Sequence, residues 1–253
     1  MGHIDDRAGA QDGDDTISDM SSAAASHSAP GGGRRGPRRR FSVVGAIGLV
    51  LVLAGLSVLG YVAWQYWGTN IVSKQQQAQV REAISEDWKN GTDGKNIGLL
   101  RVPRFGKDYE VPIVKGFDPG SLAKGVGFYP KGDLPGELGN FAIAGHRVTH
   151  GEPFRDFLKL RKGDKVYVET RTAVFTYVLR NAGDSITVDF TEGWPLQQVP
   201  DPALRGEPPT KSVLTMLTCS ELFHTDNRNV VVGDLVRIVD KSDPERKIPL
   251  PSA

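Results

Sequence analysis

Three side chains in this sequence have the types and spacing for nucleophilic chemistry: Cys219, His146 and Arg228. Cys219 is the single cysteine of the 253-residue chain and ends the apolar, β-branched run "SVLTMLTC". Arg228 follows nine residues later, after the polar stretch "SELFHTDN", and heads the run that continues as "NVVVGDLVRIVD". His146 closes a third apolar run in "FAIAGHR". A thiol with a reference pKa of roughly 8.5 is mostly protonated at neutral pH, and a neighbouring imidazole and guanidinium favour the nucleophilic thiolate. A Cys–His pair with a cation that stabilises an oxyanion is the minimum equipment for acyl transfer through a thioester. A lone cysteine also reads as a buried core thiol, because free cysteine is among the most buried residue types. In that reading His146 is a structural polar residue and Arg228 covers the start of the last strand. His150 and His224 sit in loop-like sequence and are expected to be solvated.

Other chemistries find no support. The net charge of +1 argues against nucleic-acid binding, which draws on a basic excess. No CxxC, HExxH or EF-hand loop occurs, so no metal is expected. No glycine-rich phosphate loop stands between a strand and a helix, and no cofactor is expected. One cysteine cannot form an intramolecular disulfide, so stability must come from the core.

The elements that must position the three residues lie in the second half of the chain. Residues 1–40 open with small, polar and acidic residues and end in the basic cluster "RRGPRRR", Arg34 to Arg40. Too little apolar surface is present there to offset the entropy of ordering, and a disordered tail is expected. Residues 41–67 carry no charge and end with Tyr61, Trp64, Tyr66 and Trp67. About twenty apolar helical residues span the hydrocarbon core, and the aromatic end suits an interfacial belt. Arginine is retained on the cytoplasmic side, so the expectation is a single-pass plasma-membrane protein with its N-terminus inside and its larger part exported. The apolar run is too long for a cleaved signal peptide and has no A-x-A-like site.

Residues 68–96 include "SKQQQAQVREAISEDWKN", a helix former with sparse apolar positions that ends at the breaker "NGTDG". It reads as a stalk or as a helix lying against the domain. Residues 97–240 change to short strands: "IGLLRVPRF", "YEVPIVKG", "FAIAGHR", "KVYVET", "AVFTYVLRN", "SVLTMLTC" and "NVVVGDLVRIVD". Only "SLAKGVGFY" and "PFRDFLKL" suggest short helices. Many strands with few helices predict a mainly β barrel or sandwich, followed by a tail at 241–253. Cys219 ends one strand and Arg228 opens the next, so pairing of the two strands could bring them together.

"TMLTC", an arginine at the head of the next strand and "AGH" far upstream together resemble the sortase family of cysteine transpeptidases. The family pattern T-L-x-T-C is met by Thr215, Leu217, Thr218 and Cys219, with Met216 in place of the leucine. The resemblance runs from about Ile97 to Asp240. "GVGFYPKGDLPGELGNFAIAGHR" looks most like the class E group of high-GC Gram-positive bacteria. Papain-like enzymes place cysteine before histidine, and L,D-transpeptidases carry a compact S-H-G-C-x-R motif absent here.

The resemblance implies an eight-stranded β-barrel of mixed strand pairing. It implies attack by Cys219 on the Thr–Gly carbonyl of a C-terminal sorting signal, of the L-A-x-T-G type for class E. The partners it implies are secreted proteins bearing that signal and an amine of peptidoglycan or its lipid-linked precursor. His146 would be general acid and base, Arg228 the substrate clamp and oxyanion stabiliser, and Tyr129 and Thr218 substrate-binding residues. The contrasting expectation is a non-catalytic, membrane-tethered cell-wall binding domain with an inert core cysteine.

Overall fold

In the computed structural model, residues 42–219 and 226–252 are described, Tyr66 by its backbone alone. The arginine cluster, the tail before it and His224 lie outside the described residues. Helix α1 (Val43–Ala63) has no buried residue and is long and apolar enough to cross a membrane. A π-helical turn, Trp64–Gly68, leads into α2 (Thr69–Lys89).

Helix α2 buries Ser73 and Ile84. Its Arg81 Nη1 donates to the carbonyl of Glu110 at 3.4 Å, and its Trp88 ring lies 4.1 Å beneath Lys241 Nζ. Helix α2 is thus in contact with residues 110 and 241 of the part that follows it.

The strands are β1 (Gly98–Arg101), β2 (Glu110–Lys115), β3 (Val126–Phe128), β4 (Gly139–Ala144), β5 (Lys165–Glu169), β6 (Ala173–Leu179), β7 (Thr187–Asp189), β8 (Ser212–Cys219) and β9 (Asn227–Asp240). Eight of them run in the order β6-β5-β1-β2-β3-β4-β8-β9, and β9 returns to pair with β6, closing a barrel. Strand β7 adds to β9 as a ninth strand outside that ring. Pairing is antiparallel except for β2–β3 and β4–β8, which are parallel. Closure pairs β9 with β8 on one side and, over Gly233–Asp240, with β6 on the other, and the part of β9 that β6 does not cover offers β7 its edge.

The interior is filled by one face of each of the eight ring strands, including Leu100, Ile113, Phe141, Ile143, Leu214, Met216 and Val231. Strands β8 and β9 are buried on their other face too. There Val213, Val230 and Val232 pack with Trp194, under Ile186, Val188 and Leu217. Burial on both faces explains why "SVLTMLTC" reads as a continuous apolar run instead of an alternating one.

Two segments differ from the expectation of short helices. In "SLAKGVGFY" only α3 (Pro119–Ala123) is helical, and Val126–Phe128 forms β3 between β2 and β4. In "PFRDFLKL" a 3₁₀ turn at Phe157–Lys159 suffices to bury Phe154, Phe157 and Leu160. Three residues are too few to show a periodicity, so β3 and β7 exist by virtue of their partners.

Candidate active site

Alternation along the strands decides which residues face the site. In β8, Leu214 and Met216 point into the barrel, so Val213, Thr215, Leu217 and Cys219 share the outer face. In β4, Phe141 and Ile143 point inward and leave Ala142 and Ala144 outside. Arg228 is the register partner of Cys219 across β8–β9, with Val230 and Val232 on the same outer face. Directly opposed residues of an antiparallel pair have Cα atoms about 4.5–5.5 Å apart, so thiol and guanidinium start from adjacent backbone positions. Thr218 points inward, and its Oγ1 donates to the carbonyl of Gly145 at 2.8 Å.

That bond fixes the start of the segment carrying His146. Gly145 N donates to the carbonyl of Leu217 at 3.1 Å, extending the β4–β8 ladder by one step. A Cβ at Gly145 would lie 2.8 Å from the Phe154 ring, so the close approach demands glycine. Phe154 N then donates to the carbonyl of His146 at 2.9 Å and closes the loop. Within it His150, Gly151 and Glu152 have φ of 54°, 80° and 52°. For the two non-glycine residues this left-handed conformation costs about 1–2 kcal/mol each.

The His146 and His150 rings stack, with centroids 4.5 Å apart and planes inclined by 24°. His150 is half-buried, not solvated as its loop-like sequence suggested. Its Nδ1 lies 2.9 Å from Thr149 Oγ1. Burial, and secondarily His150, push the His146 imidazole down to about 4, and burial lowers His150 as well. His146 is therefore neutral at pH 7. Its Nε2 is buried and has no hydrogen-bond partner among the described residues.

A groove of about 650 Å³ joins these parts, and His146, Thr218, Cys219 and Arg228 all line it. Cys219 is half-buried on this wall and not sealed in the core. The apolar floor includes Ala144, Leu217, Val188 and Phe190. Asp189 and Glu192 supply carboxylates. Hydrogen bonds from Thr191 hold the Asp189 carboxyl below the usual range, with Arg228 adding to the effect. Arg228 Nη1 donates to the carbonyl of Asn227 at 2.9 Å. Tyr129 is not among the lining residues. It packs on Phe117, which is, at a ring distance of 5.4 Å. No group of three or more His, Cys, Asp or Glu converges among the described residues in a way that could hold a metal ion.

Residues 100–236 match the family model for the sortase domain, and the strand ladder carrying Cys219 and Arg228 lies within that span. The chain belongs to the sortase family. Sortase SrtE2 of Streptomyces coelicolor is 31% identical over 242 residues, covering 87% of this sortase and 92% of its own length. Sortase SrtE1 of the same organism is 32% identical over 205 residues, covering 76% of this chain but 56% of its own length. The solved structure of sortase E from Streptomyces avermitilis shares 33% identity and a TM-score of 0.52, covering 61% of this sortase and 97% of that chain. The class E resemblance and the closed eight-stranded barrel both agree with these relatives. Sequence reasoning missed Asp189, Phe190 and His150 in this sortase. The first two lie at the end of three-residue β7 and just beyond it, and His150 depends on a loop conformation that residue types do not announce.

Proposed function

We propose that this sortase is a membrane-anchored cysteine transpeptidase, with Cys219 as nucleophile, His146 as proton carrier and Arg228 as oxyanion stabiliser. Its substrate is an exported protein with a C-terminal L-A-x-T-G-like signal, cleaved between Thr and Gly. The acceptor is an amine of the cell wall or its lipid-linked precursor. The observation that carries this reading is the direct opposition of Cys219 and Arg228 across β8–β9, with His146 on the same groove.

The protonation state sets the order of events. His146 is neutral at pH 7, so its ring takes the thiol proton as sulfur attacks the threonine carbonyl. The Arg228 guanidinium balances the charge on the carbonyl oxygen. The imidazolium then gives its proton to the departing glycine nitrogen as the C–N bond breaks, leaving a threonyl thioester. An incoming amine attacks the thioester, His146 takes the amine proton, and the departing sulfur recovers it. Protons balance over the cycle.

Anchoring rests on α1 and the arginines before it, with the N-terminus cytoplasmic and the barrel outside. Gln65, in the turn that follows α1, lines the groove, and Trp64 and Trp67 beside it are exposed. The groove thus opens at the level of an interfacial belt, where an exported protein still tethered by its C-terminus presents its signal. The experiment is incubation of the full chain in lipid discs with L-A-x-T-G and L-P-x-T-G peptides and an amine acceptor. Transfer product is expected with the wild type and none with Cys219→Ala. Failure of every peptide to yield either product or a covalent adduct on Cys219 would favour a wall-binding domain.

A further inference from the structure

Asn70, one residue into α2, uses both ends of its carboxamide on the loop that carries His146. Its Oδ1 accepts from Gly151 N at 2.8 Å. Its Nδ2 donates to Glu152 Oε1 at 2.9 Å and lies 3.5 Å from the carbonyl of Val148. Gln77, seven residues on and so on the same helix face, donates from Nε2 to the carbonyl of His150 at 3.2 Å. These contacts bracket the three consecutive positive-φ residues. Helix α2 is itself held at its far end, where Trp88 sits beneath Lys241 Nζ and Lys241 bonds Glu169 Oε1 at 2.8 Å.

We propose that Asn70, supported by Gln77, is a positioning residue for the reaction. From α2 it holds residues 148–152 in the conformation that stacks His150 on His146 and keeps the His146 ring out of water. Left-handed backbone at His150 and Glu152 persists only where surroundings over-determine it. The main-chain closure from Phe154 to His146 lies outside the strained segment; within it Glu152 N donates to the carbonyl of Thr149 at 3.1 Å, and the bonds from α2 add to that single turn on the same residues. Because α2 follows α1 through a single helical turn, the segment leading from the membrane anchor bears on the general base. This inference rests on the reading of His146 as proton carrier.

The readout is the acid limb of kcat/KM, which reports the free enzyme's base. The charged and titratable groups that share the groove with His146 are His150, Asp189, Glu192, Cys219 and Arg228; Arg147 follows it in the loop, and Glu152, Arg155 and Lys74 line a separate cleft beside Asn70. The test uses the full chain in lipid discs with an L-A-x-T-G peptide and an amine acceptor, comparing wild type, Asn70→Ala, Asn70→Asp, the double variant Asn70→Asp with Glu152→Gln, and His146→Ala.

Asn70→Ala should lose about ten- to a hundredfold in kcat/KM, mostly in kcat, because misplacement of a reacting group carries effects of that size. Its acid limb should move up from the low value of the wild type toward that of an ordinary histidine, as the ring gains water. Asn70→Asp should lose more, because two carboxylates then face each other. The double variant should recover most of that loss, since the carboxamide of Glu152→Gln donates to the carboxylate of Asn70→Asp and the acceptor for Gly151 N is kept. An Asn70→Ala protein within twofold of wild type would overturn the proposal. So would a loss with an unmoved acid limb, or a double variant no better than the single. His146→Ala separates the two readings. If it stays active, the proton-carrier assignment falls and this inference with it. If it is inactive while the Asn70 variants match wild type, only the role of α2 falls.

Discussion

Cys219 and Arg228 are held by a strand ladder, whereas His146 is held by a loop. Register on β8–β9 sets the first two opposite each other, with neighbouring ladder bonds repeating the same geometry at each step. Beyond Gly145 the loop has no ladder. Its form depends on the Phe154–His146 bond, two left-handed non-glycine residues and side chains from α2. A ladder tolerates loss of one side chain because the remaining main-chain bonds keep the register. The loop has few bonds, each with its own geometry, so single changes there should act on the chemistry through position. Cys219 is thus built on a redundant ladder and His146 on a sparsely bonded loop.

The sharpest way to break this comparison is to delete the chemistry from each region. Cys219→Ala should abolish cleavage and transfer with no change in fold, measured by product formation and by absence of a peptide adduct in mass spectrometry. His146→Ala should lose on the order of 10²–10⁴ in kcat. Arg228→Ala should lose on the order of 10²–10³. If Arg228→Ala were nearly silent, the opposed pair on the ladder would not be the working site.

Acid titration above the carboxylate range probes the loop. The His146 pKa is lowered from the ordinary 6.5 to about 4 in the folded state. Between those values the unfolded chain binds the proton that the native chain refuses, so stability falls as pH drops from 6.5 to 4 and is constant in this respect above 6.5. The shift corresponds to at most roughly 3 kcal/mol. Denaturant unfolding at several pH values should show this decline in wild type and a flatter profile in His146→Gln. Parallel profiles would place the His146 ring in a wetter setting than the one described.

Thr218→Val tests the joint between ladder and loop. It keeps the shape of the side chain and strands the Gly145 carbonyl, which should cost about 1–3 kcal/mol. Thermal unfolding should register that loss, with a smaller fall in kcat/KM than for His146→Ala. The smallest effect is expected for Tyr129→Phe. The Tyr129 ring reaches the groove only through Phe117, so the preference for L-A-x-T-G over L-P-x-T-G should change by less than about threefold, under 1 kcal/mol. A preference that vanished in Tyr129→Phe would return its hydroxyl to the substrate site.

Much of the ladder could be read from residue types. The β-branched runs mark β8 and β9, and the polar stretch between them forces a return. The period of two then places Cys219 with Leu217 and Arg228 with Val230, on the face away from Leu214 and Met216. The apolar length of α1 is equally local information. Other features were decided by tertiary structure alone. Strand β7 exists because β9 offers it an edge, and Asp189 reaches the groove only as a consequence. The stacking of His150, the low pKa of His146 and the hold of Asn70 on Gly151 join residues far apart in sequence. Desolvation and hydrogen-bond geometry are properties of what surrounds a side chain. A strand period carries its orientation along the chain, but a loop acquires its shape only from what packs against it.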